Sequence, residues 1–132
     1  MSTRWLVVAA LGIISTVTGP TVRAQAPGPH SMSARITFAL PTYVGGHLLV
    51  GDYVIVHDED RMNAGEPCTT IYRPARAGAE AVVSFHCVPR PRTAVGHVVV
   101  RVTPESRIPG TWFQRLVEYQ FAGEAEGHGV PE

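Results

Sequence analysis

The stretch Cys68–Cys87, CTTIYRPARAGAEAVVSFHC, holds both cysteines of the chain and constrains its fold more tightly than any other. Two runs rich in β-branched and aromatic residues, Cys68–Arg73 and Val82–Val88, flank a Pro/Ala/Gly segment, the pattern of two strands joined by a loop. Symmetric folding of that loop sets Arg73 against Val82, Tyr72 against Val83, Thr70 against Phe85 and Cys68 against Cys87. Strand side chains alternate between faces, so this register puts Cys68, Thr70 and Tyr72 on the side of Val83, Phe85 and Cys87. The expectation is a cross-strand disulfide between Cys68 and Cys87, which in a loop of this size stabilises a small domain by roughly 3 kcal/mol. The alternative use of the pair is redox chemistry or thiolate metal ligation. Redox pairs sit close together, as in C-x-x-C, whereas these cysteines are nineteen positions apart.

The start of the chain supplies the compartment. Met1–Arg4 is short and positive, Trp5–Ile14 is an apolar run, and Ser15–Gln25 turns polar around Gly19-Pro20, the layout of a secretory signal peptide. The apolar run is too short to span a bilayer comfortably. Both Val22-Arg23-Ala24 and Ala24-Gln25-Ala26 fit the small-x-small cleavage rule, and the second would leave Pro27 just after the scissile bond. Cleavage after Ala24 is therefore expected, with residues 1–24 removed and no membrane insertion afterwards. In an oxidising compartment two cysteines are most simply paired.

The expected mature chain has 108 residues, enough for one hydrophobic core. Loss of Arg4 and Arg23 takes the formal net charge from zero to −2, which gives no support to nucleic-acid binding. Residues 25–33 (QAPGPHSMS) read as a flexible tail, 34–121 as the β-domain and 122–132 (AGEAEGHGVPE) as an acidic, Gly-rich tail without periodicity. Within the domain, Ala34–Leu40 alternates as a half-buried strand stopped by Pro41, and a Gly-Gly turn at 45–46 separates it from the next apolar piece. Tyr53, Ile55 and His57 share one face of a central strand, with Val54 and Val56 on the other. Pro89-Arg90-Pro91-Arg92 reads as a stiff connector unable to continue a ladder. Val95–Thr103 is the clearest β-run, and Trp112–Phe121 gives a last strand with Val117, Tyr119 and Phe121 on its apolar face. No segment keeps an i, i+3, i+4 pattern. The fold class expected is all-β: a small antiparallel β-sandwich or barrel of about six or seven strands.

The pieces VGGHLLVGDY, GDYVIVHDED, GEPCTTIYR and EYQFAGEAEGHGVP resemble small signal-bearing, β-rich exported proteins of bacteria. In that group a strand is followed by Val-Gly, a leucine and then Gly-x-Tyr opening the next strand, matched here by Gly51-Asp52-Tyr53. The spacing is one residue short, and Leu49-Val50 stands where the group has Pro-Ala. The resemblance implies an exported β-domain and carries no activity or site with it.

Six histidines, His30, His47, His57, His86, His97 and His128, are a generous supply of Cu or Zn ligands. None lies in an H-x-H or H-x-x-x-H spacing. The best metal constellation is His57 with Asp58 and Asp60, joined by His86 or by His128 from the tail. Asp58–Asn63 gathers hard oxygen ligands, yet lacks the central Gly and the bidentate Glu of a Ca²⁺ loop and reads as an acidic turn. Ser84 and His86 share a strand face without a Gly-rich elbow, and no phosphate-cradling glycine loop opens a helix. Six arginines fall between Arg73 and Arg107, and four glutamates between Glu118 and Glu132, either as solvated faces or as complementary docking surfaces. These features favour a periplasmic or secreted non-enzymatic β-domain with a binding or structural role in the cell envelope. Its expected partner is an envelope protein or polymer, and no cofactor is expected. The second reading is a small exported Cu- or Zn-binding protein using His57 and its acidic and histidine neighbours.

Overall fold

A computed structural model describes residues 30–75, 78–105 and 109–132; the expected leader and most of the expected N-terminal tail lie outside them. The chain is all-β. Eight strands, β1 (Ser31–Val44), β2 (His47–Asp58), β3 (Thr69–Ala75), β4 (Gly78–Phe85), β5 (Val88–Pro91), β6 (Val99–Glu105), β7 (Phe113–Gln120) and β8 (Glu126–Gly129), form one sheet. The order is β4-β3-β2-β1-β7-β8-β5 with β6 on β7, and the sheet curls into a half-barrel. Every pairing is antiparallel except a short parallel contact between β1 and β7. One short helix, α1 (Glu59–Asn63), occupies the polar loop after β2, its first turn capped by Asp58. No helix among the described residues is long and apolar enough to cross a membrane.

Local chemistry explains the long β1–β2 hairpin. Gly45 and Gly46 both take positive φ, 52° and 81°, the left-handed pair that a tight hairpin turn requires. Pro41 does not stop β1. A bulge between Phe38 and Thr42 absorbs it, and the strand resumes with Thr42 and Val44 buried. Ile36 and Phe38 on β1, Leu49, Tyr53 and Ile55 on β2, Ile71 on β3, Val83 and Phe85 on β4, and Leu116, Tyr119 and Phe121 fill the concave face.

Four further sequence expectations need correction. The β3–β4 register is Thr69↔Phe85, Thr70↔Ser84 and Ile71↔Val83, one residue from the symmetric pairing: near the loop, at Arg73↔Glu80 and Ala75↔Gly78, the offset is two residues, and Val82, inserted at an irregularity after Ile71, recovers one. Cys68 and Cys87 both remain buried, but their sulfurs are 2.8 Å apart and both are free thiols, not the expected disulfide. A disulfide needs about 2.05 Å. The Pro-Arg-Pro-Arg segment is not a connector: Val88–Pro91 is strand β5, paired to β8. It tolerates two prolines because it is the last strand of the sheet. Alternate N–H groups face away from the ladder there, while the next residue in phase, Arg92, donates its N–H to Ala125 O at 2.9 Å. Within the segment expected to be an acidic tail, Glu126–Gly129 is β8, inserted between β5 and β7, and Val130 joins the core.

Candidate metal centre

Four chemistry-bearing side chains meet under the half-barrel. His57 continues the inward row of Tyr53 and Ile55 on β2, which leaves its imidazole 1 % exposed at the strand's end. His128 on β8 pairs with Tyr119 on β7 and is likewise 1 % exposed. Cys87 lies between β4 and β5, and Cys68 immediately precedes β3. Cys87 Sγ is 3.6 Å from His57 Nδ1 and 3.8 Å from His128 Nδ1, and the three donor atoms lie within 4.8 Å of one another. An ion with bonds of about 2.0–2.3 Å to nitrogen and sulfur holds neighbouring donors about 3.4–3.8 Å apart, so the two nitrogen–sulfur separations already suit one. Cys68 Sγ, which accepts from the Cys87 backbone N–H at 3.1 Å, is the nearest further donor.

The surroundings orient each ligand atom. His128 Nε2 donates to Glu124 Oε2 at 3.1 Å, which leaves the Nδ1 lone pair facing the sulfur. A carboxylate behind a histidine is the usual outer support of a metal-bound imidazole. Tyr119 stacks on the His128 ring, with centroids 4.9 Å apart and planes at 19°, while its hydroxyl pairs with Thr69 Oγ1. Phe121 meets the same imidazole edge-on. The rings of His57 and His128 are 4.3 Å apart, a separation that suits two neutral imidazoles and not two cations.

Electrostatics keep both imidazoles in the ligating form. Burial lowers the His57 pKa, and the charge of a protonated His128 lowers it further. Burial also lowers that of His128, against the pull of Glu126 and Glu118. The Cys87 thiol is pushed up to about 12 by burial and by its hydrogen bond with Cys68. A divalent or soft monovalent ion is what makes such a sulfur a thiolate, since coordination displaces the proton.

Of the five residues in the sequence-derived metal set, only His57 and His128 converge. Asp58 caps α1 through the Arg61 N–H at 3.1 Å, and Asp60 pairs with His30 at 3.0 Å, so neither joins them. His86 is exposed in the connection between β4 and β5, flanked by the buried Phe85 and Cys87. The third member of the cluster is Cys87, which the sequence pattern had placed in a bridge with Cys68. The chain matches no protein-family model, no curated protein and no solved structure.

Proposed function

We propose that this protein is a small exported metal-binding β-domain that holds one Zn²⁺ or Cu⁺ ion between His57, Cys87 and His128. The carrying observation is the convergence of two neutral imidazole Nδ1 atoms on one buried sulfur, 3.6 and 3.8 Å away. One thiolate and two imidazoles suit Zn²⁺ and Cu⁺ over the hard ions Mg²⁺ and Ca²⁺, which take oxygen ligands. All three ligands are buried, which shields the ion from bulk solvent and limits the approach of a substrate. That favours a structural, storage or delivery role over hydrolysis. The export half of the proposal rests on the leader-like beginning of the chain, Met1–Ala24. A metal–thiolate bond would also protect a thiol kept reduced in an oxidising compartment.

Metal analysis of untagged protein, purified with a thiol reductant and reconstituted with Zn²⁺ or Cu⁺, tests the proposal. One equivalent per chain is expected in the wild type and in His86→Ala. Loss is expected in His57→Ala, His128→Ala and Cys87→Ser. A wild-type protein that retains neither ion after gel filtration, or a His57→Ala variant that retains a full equivalent, rules the site out.

A further inference from the structure

A second cluster lies on the convex side of the same strands. On β8 the side chain of His128 points into the half-barrel, and its neighbours Gly127 and Gly129 therefore present their backbone to the other face. Glu118 of β7 lies over Gly127, and Arg90 of β5 lies over Gly129. A Cβ at Gly127 would sit 2.8 Å from the Glu118 carboxyl carbon, and one at Gly129 would sit 2.7 Å from Arg90 Nε. These two glycines make a trough in which the carboxylate and the guanidinium lie flat against the sheet.

Three arginines converge on that carboxylate. Arg92 donates through Nε at 2.8 Å and through Nη2 at 2.6 Å, Arg101 through Nη1 at 2.8 Å, and Arg90 through Nη1 at 3.4 Å. Arg101 also donates to Gln120 Oε1 at 3.1 Å. Glu118 is 1 % exposed, whereas the side chains of Arg90, Arg92 and Arg101 are 47 %, 40 % and 36 % exposed. One guanidinium is enough to neutralise one carboxylate. Among the described residues Glu118 is the only carboxylate paired with any of the three, so two positive charges remain in surplus. Arg90 commits one N–H and the other two commit two each, out of five on every guanidinium, and all three side chains stay partly exposed.

We propose that Arg90, Arg92 and Arg101 form a binding site for a dianionic oxyanion group, phosphate or sulfate, with Glu118 as the internal anchor that pre-orients them. The surplus charge matches a dianion, and planar guanidiniums bind tetrahedral oxyanions through paired N–H donors. Holding the side chains beforehand removes part of the entropic cost of ordering long arginines around a ligand. The site stands independently of the metal proposal. It uses the opposite face of β8 and none of the metal ligands.

The test is a titration of the full chain with inorganic phosphate and sulfate, with chloride at matched ionic strength as the control, followed by arginine side-chain NMR signals. The expected result is saturable shifts of the three arginines with a Kd of about 1 mM or tighter for at least one dianion. Arg90→Gln or Arg101→Gln, checked for folding by circular dichroism, weakens it about tenfold. Dextran sulfate and a phosphorylated glycan, each against the neutral polymer, locate the source: tighter binding than the free ion assigns the group to a polymer, and equal binding assigns it to the free anion. Shifts no larger than those with chloride, or an unchanged Kd in both variants, overturn the proposal.

Discussion

Glu124 Oε2 and His128 Nε2 are 3.1 Å apart, bridging the turn that carries the chain from β7 into β8. The bond fixes which imidazole nitrogen faces Cys87. Removing the acceptor with Glu124→Ala is expected to weaken the bound ion by about 10- to 100-fold, with Glu124→Gln, which keeps an acceptor oxygen, falling between. Competition against a chromophoric chelator measures it, and equal affinities in all three proteins would show that the carboxylate does not support the site.

The Glu118 carboxyl is held below its ordinary value, chiefly by its hydrogen bonds from Arg92 and then by the charges of Arg92, Arg101 and Arg90, against the opposing effect of burial. Its charged form is therefore favoured by folding, and the unfolded chain takes up the proton first. The stability this contributes is fully present above the unfolded value of about 4.5 and is lost as pH falls through the lower folded one. Glu124, whose value burial raises, acts in the opposite sense, so the comparison must be made within one variant pair. Urea midpoints of wild type and Glu118→Gln are expected to converge as acidification below the unfolded value of about 4.5 protonates the folded carboxylate.

Gly127 is expected to resist substitution. Glu118 is pinned by three arginines and cannot swing aside for a new methyl group, so Gly127→Ala should cost about 1–3 kcal/mol in denaturant unfolding. Gly96 has nothing within 4 Å of an added Cβ and no positive φ, and Gly96→Ala should stay within about 0.5 kcal/mol of wild type.

Tyr119 and Thr69 are both fully buried, and their hydroxyls pair with each other. Tyr119→Phe leaves Thr69 short of a partner and should cost about 1–3 kcal/mol. Adding Thr69→Val should return part of that loss, a coupling that a double-mutant cycle reads directly. Metal stoichiometry is expected to be unchanged, because neither hydroxyl is a ligand.

Strand alternation made much of the fold legible. Ile36 and Phe38 on β1, and Tyr53, Ile55 and His57 on β2, fall on the buried face that their spacing implied, and His57 was visible as the polar end of an apolar row. Registers were less legible, since where a ladder starts and where a bulge falls are set by tertiary packing and leave no composition signal. Pairing of Ala75 with Gly78 starts the β3–β4 ladder two residues from the symmetric register, and the residue inserted at Val82 recovers only one, so Cys68 and Cys87 are not directly opposed. β5 and β8 were hidden by their residues. Pro89 and Pro91 argue against a strand unless it is known to lie at an edge, and Gly127 and Gly129 carry no side chains to show periodicity. The uneven charge of the chain did hold a signal: the Arg-rich middle and the Glu-rich end meet at Glu118 and the three arginines around it.

β8 follows the other seven strands in chain order. Until translation has passed Gly129, the nascent chain carries His57 and Cys87 without the second imidazole, and nothing yet lies beneath Arg90. Loading of the proposed ion would thus wait for β8, and a product truncated before Glu126 would leave the facing edges of β5 and β7 bare, open to recruiting a strand from a neighbouring molecule.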